Sequence, residues 1–215
     1  MKYCYLFSLL ITTLVSGCFS KGNNQTSPKS LPDYFQKTEP ADTLLFEIND
    51  AEEINWTDTL SNRLFFSKME TQLMNGVEYF DNSGRLTVIG RTRFSFNDQL
   101  DAYLVDMRQH WYRNLSIFIF DLQKEIFIHR ETVAEFYGGE GGQILTGSWL
   151  MDFDGDGSKD LVRHEVEHWI ILDDDNPRDT LTQHAAFLAW EANKFLEKEA
   201  NTEALVKQFP IKLFW

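Results

Sequence analysis

An acidic segment near the middle of the second half of the chain is the part of the sequence best suited to chemistry. It reads Asp152-Phe153-Asp154-Gly155-Asp156-Gly157-Ser158-Lys159-Asp160, with carboxylates at alternate positions. Calcium is a hard cation that takes six to eight oxygen ligands, and alternate carboxylates converge on one ion when the chain coils around it. Gly155 and Gly157 permit such a tight path. The spacing therefore predicts a calcium (Ca²⁺) site.

The predicted calcium ligands are four side chains and one backbone carbonyl. Asp152, Asp154, Asp156 and Asp160 supply carboxylates, and Ser158 supplies its carbonyl oxygen. Four carboxylates this close together would repel one another without a counter-cation. Because all four acids are then committed to one ion, the pattern favours a structural role over a catalytic one. The alternative is an Asp/Gly-rich turn that binds no ion.

The DxDGDGxxD pattern resembles the calcium loops of EF-hands, of dockerins, and of the FG-GAP and VCBS repeats of extracellular proteins. An EF-hand loop has an apolar residue at its eighth position and Glu at its twelfth, where this chain has Lys159 and Arg163. In FG-GAP-like loops the last Asp is followed by aliphatic residues that begin a strand, as Leu161 and Val162 are here. The resemblance covers only the Ile144–Leu172 hairpin. It implies a loop at a hairpin tip and does not imply a propeller, whose blades would not fit this chain.

A second motif, His164-Glu165-Val166-Glu167-His168, satisfies the H-E-x-x-H pattern of zinc peptidases. On a helix this spacing places two His residues on one face, with Glu as general base. Residues 162–170 instead alternate in the way that strand residues do, and a strand would put Glu165 on the face opposite both His residues. Because the motif matches but the alternation does not suit a helix, a zinc peptidase is the second hypothesis for function and not the first.

A carbohydrate-binding platform built from Trp149, Trp169 and Trp190 is the third hypothesis, although buried core aromatics are the commoner case. No motif frames a serine or cysteine nucleophile. We therefore expect a non-enzymatic binding or support role, with calcium as the one cofactor.

The start of the chain predicts export and a lipid anchor. Lys2 precedes an apolar run, Cys4–Val15, that is too short to span a bilayer but suits a signal peptide. The run leads into Val15-Ser16-Gly17-Cys18, which resembles the lipobox of bacterial lipoproteins. That resemblance implies removal of residues 1–17 and attachment of diacylglycerol to the Cys18 thiol. The alternative is an ordinary secretory signal that holds a cysteine at this place.

The remaining chain divides into a tether and a domain. Residues 18–42 are rich in polar residues and proline and predict a polar tether, although the less polar stretch Leu31–Phe35 suits docking on the domain. Residues 43–215 have room for a single β-rich domain. Cys18 would be the only cysteine left after cleavage, so no internal disulfide is expected.

The net charge of −13 bears on partners and location. An acidic surface repels nucleic acid and anionic headgroups, so we expect no nucleic-acid partner and a membrane contact through the N-terminal lipid. The partner is an unidentified protein or glycan. The expected location is the bacterial cell envelope, with the outer membrane or cell surface favoured over the inner membrane.

Hydrophobic periodicity predicts the elements that would position the calcium loop. Residues 57–75 have helical spacing and predict one amphipathic helix, with Thr57 or Asp58 as its cap. Alternation predicts strands at 86–96, 102–107, 115–120, 126–129, 144–151, 161–172 and 184–190. A short helix follows at Asn201–Phe209 and ends before Pro210. The predicted fold is mainly β, an antiparallel meander with an N-terminal amphipathic helix and a short C-terminal helix.

Overall fold

The computed structural model describes residues 29–48, 59–74, 86–109, 112–139, 141–171 and 178–213. Within these ranges the chain is mainly β, as predicted, and eleven strands lie in one mixed sheet. The predicted signal peptide and Cys18 lie outside them. No helix in the described part of the chain is long and apolar enough to cross a membrane.

The strands form a meander with three short additions. They are β1 (Gln36–Lys37), β2 (Thr43–Phe46), β3 (Thr59–Leu60), β4 (Thr87–Ser95), β5 (Leu100–Gln109), β6 (Tyr112–Asp121), β7 (Ile126–Gly139), β8 (Gly142–Met151), β9 (Asp160–Ile171), β10 (Arg178–Glu191) and β11 (Lys194–Lys198). Strands β4 to β11 pair antiparallel with their chain neighbours, whereas β1 pairs parallel with β4. The sequence pattern does not predict β1, β2, β3 or β11, because each buries no more than one side chain.

Short helical segments accompany the sheet, among them a 3-10 helix at Leu31–Tyr34, α1 at Asn62–Phe66 and α2 at Thr202–Gln208. Helix α2 is the predicted C-terminal helix, and the Asn201 side chain caps it by accepting the Ala204 N–H at 3.1 Å.

The segment predicted as an N-terminal helix is only partly described. The Ser61 side chain caps α1 by accepting the Leu64 N–H at 3.1 Å, and residues 71–74 are also helical. Between these two stretches, Met69 forms an isolated bridge with Phe127. The proposed caps Thr57 and Asp58 lie outside the described residues.

Part of the predicted tether packs against the domain. Leu31 and Phe35 are buried, and the Phe35 ring lies edge-on to Tyr103 with centroids 4.8 Å apart. Gln36 and Lys37 then pair with β4. Two apolar side chains, Leu31 and Phe35, make this contact. They are too few to change the average composition of residues 18–42, which therefore indicates a polar tether.

The sheet closes around a core that its two halves share. One buried cluster takes side chains from every strand between β4 and β11. Phe96, which follows β4, lies 4.8 Å from Trp190 and 6.2 Å from Phe195 between ring centroids. In a flat sheet β4 and β10 would be roughly 30 Å apart at the usual strand spacing. Strands β4–β7 therefore face strands β8–β11 across the core.

The two outward faces are covered by short segments. The 3-10 helix and residues 60–74 cover one side of β4–β6. There the Phe65 ring packs on the Phe118 ring, with centroids 5.0 Å apart. Helix α2 covers β9 and β10 and contributes Leu205, with Phe209 following it. Each half of the sheet thus buries both faces over its central part.

A histidine lies between the two halves. His129 on β7 accepts the Phe195 N–H at its Nε2, 3.3 Å away, and its ring packs on Trp190 and Phe195. Burial lowers the pKa of His129 to about 4, and the charge of Lys194 acts in the same direction. The Glu131 carboxylate lies 3.7 Å from the same nitrogen. It is already paired with Arg163 at 2.8 Å, so its charge does little to favour imidazolium.

We expect His129 to destabilise the fold as the pH drops from about 6.5 to about 4. The folded-state pKa is depressed, so in this window the unfolded chain binds the proton and the folded chain does not, and acidification favours unfolding. The loss should approach about 3 kcal/mol near pH 4. Replacing His129 with Gln, whose amide oxygen can accept the same N–H, should flatten this part of the pH profile in urea unfolding.

The matched control for this change is His184→Gln, since His184 is exposed on β10. Its profile should follow that of the unaltered protein. Superimposable profiles for His129→Gln and the unaltered protein would contradict the expectation.

Candidate calcium loop

The acidic loop lies at the tip of the β8–β9 hairpin, where the sequence places it. Met151 ends β8 and pairs with Asp160, the first residue of β9. Gly155 and Gly157 have φ values of +81° and +87°. A side chain is strained at such angles, so the two glycines are what allow the chain to turn this tightly.

Three of the four predicted carboxylates converge. One oxygen from each of Asp152, Asp154 and Asp156 lies within 4.8 Å of the other two, and all three residues are exposed. Each carboxylate also accepts a loop N–H: Gly155 donates to Asp152 at 2.8 Å, Asp156 to Asp154 at 3.1 Å, and Ser158 to Asp156 at 2.7 Å. These bonds hold the loop in the conformation that gathers the acids.

Asp160 is not a member of this group. It is 1% exposed, and its two oxygens accept the N–H of Phe153 at 3.1 Å and of Trp190 at 3.0 Å. Burial raises its pKa, the nearby charge of Asp154 raises it further, and the two backbone bonds oppose both effects. In this structure Asp160 joins the base of the loop to the end of β10.

Two residues that the sequence pattern does not single out attach the loop to its surroundings. The Phe153 ring lies 4.6 Å from that of Phe187 and 5.8 Å from that of Phe209, between centroids. The Lys159 ammonium donates to the Ala41 carbonyl at 2.7 Å. The sequence signal for these contacts was the presence of an aromatic residue, Phe153, and a cation, Lys159, in an otherwise acidic loop.

The H-E-x-x-H residues lie on strand β9 and not on a helix. His164 is buried, with Nδ1 2.8 Å from the Phe209 carbonyl oxygen and Nε2 3.2 Å from the Gln183 amide oxygen. His168 is hydrogen-bonded to Asp179. Residues four apart on a strand are about 13 Å apart, so β9 does not provide the helical arrangement that a zinc peptidase of this type requires.

The three tryptophans do not form one platform. Trp149 lies 6.0 Å from Phe209 between ring centroids, and Trp190 packs on Phe96 and Phe195 in the shared core. Trp169, by contrast, is 43% exposed. A sugar contact would therefore involve Trp169 and its own neighbours, without Trp149 or Trp190.

Comparisons with protein-family models, with curated proteins and with solved structures found no match to this chain.

We expect Asp160→Asn to destabilise the protein even in the presence of a chelator. An Asn side chain has one acceptor oxygen, and its amide nitrogen would face an N–H donor. The free energy of unfolding in urea should drop by about 1–3 kcal/mol. Asp154→Asn is the control: its side chain is exposed, and the change should be within about 0.5 kcal/mol without calcium. Equal effects of the two substitutions would contradict the buried role of Asp160.

Proposed function

We propose that this protein is a lipid-anchored component of the bacterial cell envelope whose β domain is stabilised by calcium and which binds a partner. The observation that carries the calcium part is the meeting of Asp152, Asp154 and Asp156 at one hairpin tip. The anchor part is supported by the lipobox-like Val15–Cys18 segment and the signal-like run before it.

The donor set favours calcium among common metals. Asp152, Asp154 and Asp156 supply carboxylate oxygens, the Ser158 carbonyl is the further proposed donor, and water completes the shell. Calcium prefers oxygen ligands in flexible geometry, whereas structural zinc sites use mainly cysteine and histidine, and magnesium demands near-ideal octahedral geometry. Three carboxylates gathered within 4.8 Å repel one another. A bound divalent cation attracts each of them and so offsets this repulsion.

Asp160 requires a modified assignment. It is 1% exposed and lies outside the group of three acids, so its contribution to the ion is to hold the loop ends in place through the N–H groups of Phe153 and Trp190. Asp160 thus remains part of the proposed calcium loop, but it lies buried at the base of the loop, apart from the three exposed acids.

The contacts of the loop support a structural role for the ion. Phe153 attaches the loop to Phe187 and Phe209, and Lys159 attaches it to the segment before β2. An ion that orders the loop therefore stabilises contacts with two other parts of the fold. A binding role for the domain is favoured over peptidase chemistry because His164 is buried on a strand.

Calcium should raise the thermal midpoint of unfolding. At a concentration about 100 times Kd, one bound ion adds about 2.7 kcal/mol. In calorimetry the midpoint should rise with calcium and return with chelator, and Asp156→Asn should abolish the response. Ser158→Ala is the matched control, because a carbonyl ligand survives that change. An unaltered midpoint on calcium addition would remove the calcium proposal.

Cys18→Ser should abolish incorporation of labelled palmitate in a bacterial host and release the protein from the membrane fraction. Cys4→Ser changes the only other cysteine, within the signal-like run, and should leave both unaffected. Continued labelling of the Cys18→Ser protein would show that the lipid anchor is wrongly assigned.

A further inference from the structure

The far ends of strands β7 to β10 carry a second group of exposed and half-buried residues, which the calcium loop does not use. They are roughly 30 Å from that loop, about nine strand residues along β9. Pairings of Tyr137 with Ile144, Ile144 with Glu167, and Trp169 with Gly142 and Thr180 place these side chains on one side of the sheet. We name this surface the Trp169 face; it consists of Tyr137, Ile144, Glu165, Glu167, Trp169, Thr180, Thr182 and His184.

Trp169 packs over its cross-strand neighbour Gly142, because that residue has no side chain. A Cβ atom at Gly142 would lie 2.3, 2.4 and 2.8 Å from three carbons of the Trp169 six-membered ring, so the ring occupies that space. The indole N–H donates to the Glu167 carboxylate at 3.3 Å. The ring therefore covers Gly142 and remains 43% exposed. A side chain held in position this way loses little entropy on binding.

A second aromatic residue extends this surface. Tyr137 is 49% exposed, and its ring centroid lies 6.2 Å from that of Tyr112. The Tyr112 hydroxyl donates to Glu135 at 2.8 Å, which holds this pair in position. Strands β7 and β9 are two strand spacings apart, about 10 Å. The two exposed rings thus flank the end of β8.

Polar groups run beside the rings on two neighbouring strands. Glu165 and Glu167 on β9 pair in register with His184 and Thr182 on β10. Thr182 and His184 are exposed, and the two glutamates are half-buried. Carboxylates accept hydrogen bonds and hydroxyls both donate and accept. Binding sites for small polar molecules combine aromatic surface with a few such groups.

We propose that the Trp169 face binds an uncharged oligosaccharide. This proposal rests on the binding role proposed above and names the class of partner. A sugar ring presents C–H groups that pack on an exposed indole and hydroxyls that donate to carboxylates, and hydrogen bonds to charged acceptors are the stronger kind. Glu165, Glu167 and the net charge of −13 repel acidic sugars and anionic lipids.

The arrangement fits a sugar better than a basic peptide. Thr182 on β10 pairs in register with Glu167 on β9, so a hydroxyl lies beside a carboxylate, which matches a ligand whose hydroxyls both donate and accept. A basic peptide would use only the carboxylates. The open sheet surface suits a chain of sugar units lying across it.

The test is binding of uncharged oligosaccharides to the full-length protein, purified in a detergent without a sugar headgroup. A neutral glycan array identifies the best oligosaccharide, and calorimetric titration measures its affinity. Trp169→Ala should weaken binding at least tenfold, and Trp169→Phe should retain most of it. Leu181→Ala removes an equally exposed side chain that pairs with His168 and lies on the opposite side of the sheet. It should change affinity less than twofold.

A second pair of variants tests the geometry without removing the ring. Gly142→Ala displaces Trp169 and should also weaken binding at least tenfold. Gly139, its partner in register, has open space around a Cβ, so Gly139→Ala should bind normally. No binding to any neutral oligosaccharide would overturn the proposal, as would normal binding by both Trp169→Ala and Gly142→Ala, or tighter binding of an oligolysine peptide.

The same preparations separate this proposal from the proposed function. Palmitate labelling and the calcium response report on the anchor and the loop, independently of any glycan. If both are normal and no sugar binds, only the oligosaccharide assignment is wrong.

Discussion

The fold depends on the burial of one apolar surface on each half of the sheet against the other. Strands β7 and β8 pair only over residues 135–139 and 142–146, and β2 then pairs with β8 where β7 has left it. This separation lets Phe96 reach Trp190 and Phe195. It also divides the hairpin formed by β8 and β9 into an end attached to the core and an end that extends beyond it.

The attached end carries the acidic loop of residues 152–160, and the buried Asp160 carboxylate joins this loop to the core. Asp160 accepts N–H groups from the loop and from β10, and Phe153 adds an apolar contact to Phe187 and Phe209. A change in loop conformation must therefore disturb the packing of α2 and β10. If the loop binds calcium as proposed, part of that binding free energy is folding free energy, as in other metal sites formed only in the native state.

Local pattern was enough to predict that strands β4 to β10 exist, because each contains a short apolar run bounded by turn residues. Strands β7 and β10 extend beyond the predicted 126–129 and 184–190, because their remaining residues are mostly polar or glycine. Asp/Gly spacing was likewise enough to predict a hairpin tip at which Asp152, Asp154 and Asp156 meet. The burial of Asp160 was not predictable, since its partner Trp190 is 30 residues away in the chain. The contact between Phe96 and Phe195 is more distant still, and β2 buries too little to produce a pattern.

Trp149, Trp169 and Trp190 show how position in the fold overrides residue type. All three lie on strands that the sequence predicts, yet Trp149 and Trp190 are half-buried against other aromatic rings and Trp169 is exposed. The difference is that β9 and β10 continue past the shared core, so among the described residues no strand of the other half covers their far ends. Side chains there contribute little to core packing, and their substitution disturbs the fold little. If the domain binds a partner as proposed, the far end of the hairpin can therefore change its contacts without loss of the core.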